Sequence, residues 1–219
     1  MKIYQLYYND KSKANCFDES EHFKCFQFKE KEDLKVNPYF ENKQIRGLIS
    51  KGDFKDDEYV GILSHKFTRK TGFEYKHLQE IDFKKDVVSF FRHVRSEKVL
   101  FNLDRWHKNG NKCLNSILWG LGRADMIGVT PDSVIYQNHF LAKGSVYKDY
   151  VNEWLIPAMD MCEEDSKLKS LLWEDAGYNI AIKDFGFDFP HHTFILERLP
   201  MLYFKYKGIE VQQEKPKMI

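Results

Sequence analysis

The chain has 219 residues, 42% hydrophobic and 31% charged, with a formal net charge of +1. That composition excludes a disordered chain, and the length suits one large domain over residues 1–219 with a well-buried core. Near-neutrality excludes strong whole-molecule attraction to nucleic acid or acidic membranes but leaves room for a local basic patch.

Ile3 to Tyr8 is aromatic-rich and ends in Asn9-Asp10, which predicts a strand entering a loop. The charge-mixed stretch from Lys11 to Asp33 reads as a surface excursion. Asn37-Pro38 predicts a capped helix through Phe40, Gln44, Ile45 and Leu48 that stops near Gly52. Tyr59-Val-Gly-Ile-Leu is a short buried strand that discharges into Ser64-His65-Lys66. A helical stretch follows around His77 to Ile81, and Asp86-Val-Val-Ser-Phe-Phe is the next strand.

Arg92 to Lys112 is the most basic window, with six Lys or Arg against two acids. Asn111 is placed to cap a helix through Leu114, Ile117, Leu118 and Leu121 that ends at Gly122. Val134 to Ala142 reads as a strand, Gly144 to Cys162 as a long amphipathic helix, and Ser166 to Ala176 as another, with Gly177 as its stop. Tyr178 to Ile182 reads as a short strand. Thr193 caps a last helix that Pro200 kinks or ends, and Ile209 to Gln212 is an edge strand. Strands and helices alternate, which predicts an α/β fold of three layers with a central, mostly parallel sheet flanked by helices.

Four cysteines (Cys16, Cys25, Cys113, Cys162) are widely spaced and without metal-ligand spacing, the pattern of free thiols in a reducing compartment. Met1 to Tyr8 lacks the long apolar core of a signal peptide. No run approaches the ~20 apolar residues of a membrane span. The expectation is a soluble cytoplasmic protein. Gly120, Gly122 and Gly128 match no phosphate-loop pattern and follow a helix, so they read as a helix end and turn.

Several polar residues stand where packing alone would call for apolar ones. Asn138 and His139 interrupt an apolar run, and Ser64 and His65 follow a buried strand. His191 and His192 crowd a helix entrance with Glu197 and Arg198. Asp86 is either a hard-cation ligand or a solvated strand-boundary acid. Arg92, Arg95 and Arg105 either neutralise phosphates or form a solvated basic face. Asp188 or a neighbouring histidine is positioned in sequence to act as a general base. Glu197-Arg198 is either a structural salt bridge or a phosphate contact.

The order of these motifs resembles small bacterial and phage glycosyltransferase-like proteins with a GT-A-type, nucleotide-sugar-binding fold. The resemblance rests on Lys2-Ile-Tyr-Gln-Leu-Tyr-Tyr and on Asp57-Glu-Tyr-Val-Gly-Ile-Leu-Ser-His-Lys-Phe with Lys70-Thr-Gly after it. Asp86-Val-Val-Ser-Phe, Tyr136-Gln-Asn-His-Phe-Leu-Ala-Lys and His192-Thr-Phe-Ile-Leu-Glu-Arg-Leu complete it. It implies transfer of a sugar from a nucleotide-sugar co-substrate to a hydroxyl acceptor, either a saccharide or a hydroxymethylated base of phage DNA. It also implies Asp86 on a Mn²⁺ or Mg²⁺ ion, although no second acid completes an Asp-x-Asp pair. Ser64, His65, Asn138 and Arg198 would hold the donor, Asp188 or His191 would be the base, and Arg92, Arg95 and Arg105 would meet acceptor or phosphate. The alternative is a non-catalytic nucleotide- or nucleic-acid-binding protein that keeps the fold.

Overall fold

Six strands form one mixed sheet: β1 (Lys2–Tyr7), β2 (Phe23–Gln27), β3 (Tyr59–Ser64), β4 (Val87–Phe90), β5 (Phe140–Lys143) and β6 (Val211–Glu214). The order is β2-β1-β3-β5-β4-β6, and β5 alone runs against the other five. The computed structural model describes residues 1–27, 38–90, 103–105, 107–133, 135, 138–173 and 191–215, and of Arg105 only the backbone.

Strand side chains alternate between two faces, and each face is packed. Tyr4, Leu6, Val60, Ile62, Val87, Phe140 and Ala142 point into the larger core. Ile3, Leu63, Val88, Phe90 and Leu141 point into a smaller one on the other side. Gly61 sits where a Cβ would run into the Leu141 side chain on the neighbouring strand, so glycine keeps β3 and β5 at pairing distance.

The larger core is closed by helices: α1 (Asp10–Lys13) is a short turn beyond β1, whereas α2 (Glu41–Lys51) packs Ile45, Leu48 and Ile49 inward. Gly52 takes the left-handed conformation that ends α2, as the sequence predicts. On the opposite face, α3 (Phe67–Thr71) and α4 (Tyr75–Gln79) contribute Phe67 and Leu78. Next come α5 (Gly110–Gly120) and α6 (Gly144–Tyr150). A π turn (Val151–Leu155) joins α6 to α7 (Ile156–Glu164), and α8 (Ser166–Leu172) follows. Pro157 has no N–H to give to Glu153 and its ring crowds that carbonyl; the π turn supplies the extra width. The chain closes with α9 (His192–Leu196) and α10 (Leu199–Tyr206). No helix among the described residues is long and apolar enough to cross a membrane.

Several sequence expectations need correction. The excursion from Lys11 holds β2, which pairs parallel with β1 and is an outer strand of the sheet. Of the strand expected over Val134 to Ala142, the described part is Phe140–Lys143, preceded by a left-handed turn at Asn138, φ 56°; Val134, Tyr136 and Gln137 lie outside the described residues. The cap of α5 is Asn109; Asn111 instead uses its side chain to hold Leu103 and Asp104. Pro200 opens α10 in its first turn and does not end α9, which suits a residue without an N–H to pair. α2 begins at Glu41 with Phe40 as its N-cap, so Asn37-Pro38 does not start it, and α9 is capped at His191 with Thr193 inside the helix. Gly177 and the strand expected at Tyr178 to Ile182 lie outside the described residues.

Candidate functional site

The chain leaves β1 toward β2 on one side, while β3 pairs with β1 on the other. Loops that diverge in this way open a crevice at the carboxyl ends of the two strands, the usual place for a ligand in an open α/β sheet. A cavity of about 910 Å³ lies there, between the Tyr8 to Asp18 segment and the His65 to Arg69 segment. Three cations line it (Lys11, Lys66, Arg69), with two carboxylates (Asp18, Glu74) and the aromatic rings of Tyr8, Phe17 and Tyr75. Glu74 is already engaged as the cap of α4 and with Lys76 at 3.2 Å. The remaining balance favours an anionic ligand with an apolar portion.

Beneath the cavity runs a row of buried polar side chains. Gln5 donates from Nε2 to the Ser64 carbonyl at 3.1 Å and accepts the Phe17 N–H on Oε1 at 2.7 Å. One side chain thus braces both walls. Ser64 Oγ lies 3.4 Å from His139 Nε2 and also accepts the Lys66 N–H. His65 sits edge-on to Tyr8, ring centroids 4.7 Å apart. Burial, then Lys66, Lys70 and Arg69, hold its pKa down to about 4. Burial and Lys70 likewise push His139 well below the usual histidine range. Both rings are therefore neutral near pH 7, able to donate or accept but not to carry charge.

Asn138 completes this row. It is 1% exposed, and neither its Nδ2 nor its Oδ1 has a hydrogen-bond partner among the described residues. A buried amide without partners is costly, by about 1–3 kcal/mol per group, and the backbone at φ 56° adds strain. Such features persist where something other than packing selects them. The His139 carbonyl accepts the Phe90 N–H at 3.0 Å, which anchors Asn138 and His139 at the carboxyl end of β4.

Behind the cavity wall lies a charged group drawn from three elements. Glu41 opens α2, Lys70 belongs to α3, and Glu197 and Arg198 join α9 to α10. Burial raises the Glu41 carboxyl to about 7, with Lys70 opposing and Glu197 reinforcing. Burial also raises Glu197, against Arg198 and Lys70, and lowers Lys70, against Glu41 and Glu197. Tyr8, which lines the cavity, is held as a neutral phenol by burial and by both carboxylates. A cluster of mutually perturbed titrating groups beside a cleft is a common mark of a functional site.

No family model, curated protein or solved structure matches this chain.

Of the residues singled out from sequence, the structure gathers Ser64, His65 and Asn138 at one edge of the sheet; of these only His65 lines the cavity, with Ser64 and Asn138 buried beneath it. Arg198 is buried beside Glu197, Nη1 to Oε2 3.9 Å, behind the cavity and not on its lining. His191 is fully buried where α9 begins, its N–H on the Leu172 carbonyl, so it belongs to the helical layer. Asp188, Arg92 and Arg95, and the side chain of Arg105, lie outside the described residues.

Asp86 is a correction. It precedes β4 and therefore stands at the amino edge, where Lys143 Nζ pairs with its Oδ1 at 2.7 Å. The carboxyl edge is roughly 15–20 Å away along the strands. Paired with the Lys143 ammonium on the edge opposite the cavity, Asp86 is not placed to hold Mn²⁺ or Mg²⁺ on a diphosphate bound there. Among the described residues, no three His, Cys, Asp or Glu side chains are grouped to hold a metal. The residues that sequence reasoning missed are Tyr8, Gln5, Glu41, Lys66, Arg69 and Lys70. The density of cations just after β3 is a usable signal for three of them; nothing local marks Glu41.

Proposed function

We propose that the chain is a glycosyltransferase of GT-A-like, three-layer architecture that binds a nucleotide-sugar at the carboxyl ends of β1 and β3. The observation that carries this reading is the cavity at the divergence of those strands, lined by Lys11, Lys66 and Arg69 together with Tyr8, Phe17 and Tyr75. The resemblance noted in the sequence supports it, as does the mixed sheet with polar side chains at its carboxyl edge.

In this reading Lys66 and Arg69 take the diphosphate, whose negative charge grows as the bond to the sugar breaks. The aromatic rings flank the nucleoside. Ser64 and Asn138 offer hydroxyl and amide groups to the sugar, and the neutral His139 orients Ser64. Glu41, with a proton affinity near neutral beside the cavity-lining Tyr8, has the property that a general base for the acceptor hydroxyl needs. It replaces His191 in that role. Because Asp86 stands on the other edge, cationic side chains and not a metal at Asp86 would stabilise the leaving group.

The acceptor is a saccharide or a hydroxymethylated DNA base, and binding to hydroxymethylated duplex that weakens with salt selects the second. The test of the donor site is a thermal-shift screen against nucleoside diphosphates and sugar nucleotides. Binding raises the melting temperature; no shift at millimolar ligand overturns the reading. A shift without sugar transfer to any acceptor favours the non-catalytic alternative.

A further inference from the structure

Two of the four cysteines lie together at the rim of the cavity. Cys16 ends the turn after α1 and lines the cavity itself. Cys25 lies in the middle of β2, opposite Gln5 of β1. The Cys25 S–H donates to the carbonyl oxygen of Phe17, the residue next to Cys16, at 3.4 Å, and the Cys16 S–H donates to the Ser12 carbonyl at 3.7 Å. Both are free thiols and partly exposed, whereas Cys113 and Cys162 are fully buried.

We propose that Cys16 and Cys25 form a reversible disulfide by exchange with a low-molecular-weight disulfide, and that this bond ties the outer wall of the cavity to the outer strand. Its effect on ligand rests on the reading of the cavity as a nucleotide site. The wall from Tyr8 to Asp18 is anchored at one end by β1 and near the other by the hydrogen bond from the Phe17 N–H to Gln5. A covalent link from Cys16 to β2 fixes that second end.

The exchange balances without any further oxidant. The Cys25 thiolate attacks one sulfur of the small disulfide; the S–S bond breaks and one thiolate leaves and takes a proton. Cys16, deprotonated, then attacks the Cys25 sulfur of the mixed disulfide and expels the second small thiolate, which is protonated in turn. Two protein thiols are oxidised and one small disulfide is reduced to two thiols. Burial raises both thiols above their ordinary value, Cys16 to about 12, so the exchange should quicken as pH rises.

The experiment treats the full chain with oxidised glutathione and follows intact mass, peptide mapping, amide exchange and binding of ADP, GDP and UDP. The expected result is loss of two hydrogen masses, with Cys16 and Cys25 in one linked peptide. Exchange across residues 8–18 should slow roughly tenfold, and the nucleotide that binds should bind about tenfold tighter to the pre-ordered wall. Dithiothreitol should reverse all of these. Cys25→Ser, and separately Cys16→Ser, should yield only a glutathione adduct and no slowing, with circular dichroism confirming that each variant is folded. Absence of the linked peptide, or a linked peptide with unchanged exchange, overturns the proposal. If none of the nucleotides binds either form, the donor-site reading fails while the linked peptide and the exchange still decide the proposal.

Discussion

Gln5 and Ser64, 59 residues apart in the chain, are joined by a buried hydrogen bond of 3.1 Å from the Gln5 amide to the Ser64 carbonyl. The same side chain takes the Phe17 N–H, so the two walls of the cavity share one brace. Gln5→Leu keeps the approximate shape and leaves both backbone groups without their partner. At about 1–3 kcal/mol for each orphaned group, the variant should lose about 2–6 kcal/mol of stability and on the order of 10 °C in Tm. Denaturant titration and calorimetry check this; a change below about 1 kcal/mol would remove Gln5 from the role of brace.

Asp86→Asn should be nearly silent. The pair with Lys143 is exposed, 53% and 36%, and solvent screens such pairs until they add little to stability. Ligand binding in the cavity should be unchanged in the variant and in EDTA. A loss of binding or of transfer by orders of magnitude would return Asp86 to the mechanism.

Stability against pH should separate two opposing groups of side chains. His65 and His192 are held down to about 4 and His139 well below its ordinary value, in each case chiefly by burial. Their neutral forms contribute stability that is complete above the unfolded value of 6.5 and is lost as pH falls toward 4. Glu41, raised to about 7, acts the other way: its protonated form stabilises the fold below the unfolded value of 4.5, and this is lost as pH rises through about 7. Glu197 shares that direction. Near pH 5.5 the unfolded chain holds about three extra protons on histidine and the folded chain about one on Glu41, so wild-type stability should fall as pH drops through this range. Glu41→Gln removes one opponent, and stability should then fall between pH 7 and 5 more steeply, by up to about 1.4 kcal/mol per pH unit. Parallel curves for the two proteins would show that Glu41 titrates normally.

Much of the sheet was readable in advance. The apolar runs of β1, β3 and β4 announce themselves because buried strands need continuous Val, Ile, Leu or aromatic side chains. β2 was hidden: Phe23-Lys-Cys-Phe-Gln lies among charged residues and buries only Phe23 fully, as an outer strand can. The strand expected through Asn138 is broken there, because alternation cannot reveal a left-handed turn. Ser64 and His65 were legible as polar residues at the end of a buried run. Asp86 was misplaced although its side of β4 carried the answer: a residue that precedes a parallel strand lies on the amino edge, away from the crevice. Lys70 and Glu197 carried local signals, but Glu41 had none, and the mutual perturbation of the three arises only when α2, α3 and the junction of α9 and α10 meet.

The most direct test is calorimetric titration of the wild-type chain, Lys66→Ala, Arg69→Ala and, as control, Asp86→Asn with nucleoside diphosphates and their sugar conjugates. A hydrogen bond between charged groups is worth about 1.5–3 kcal/mol. Each cavity variant should therefore weaken binding by roughly 10- to 100-fold, while Asp86→Asn binds as the wild type does. Wild-type affinity that survives both cavity substitutions, or that is lost only with Asp86→Asn, would contradict a donor site between β1 and β3.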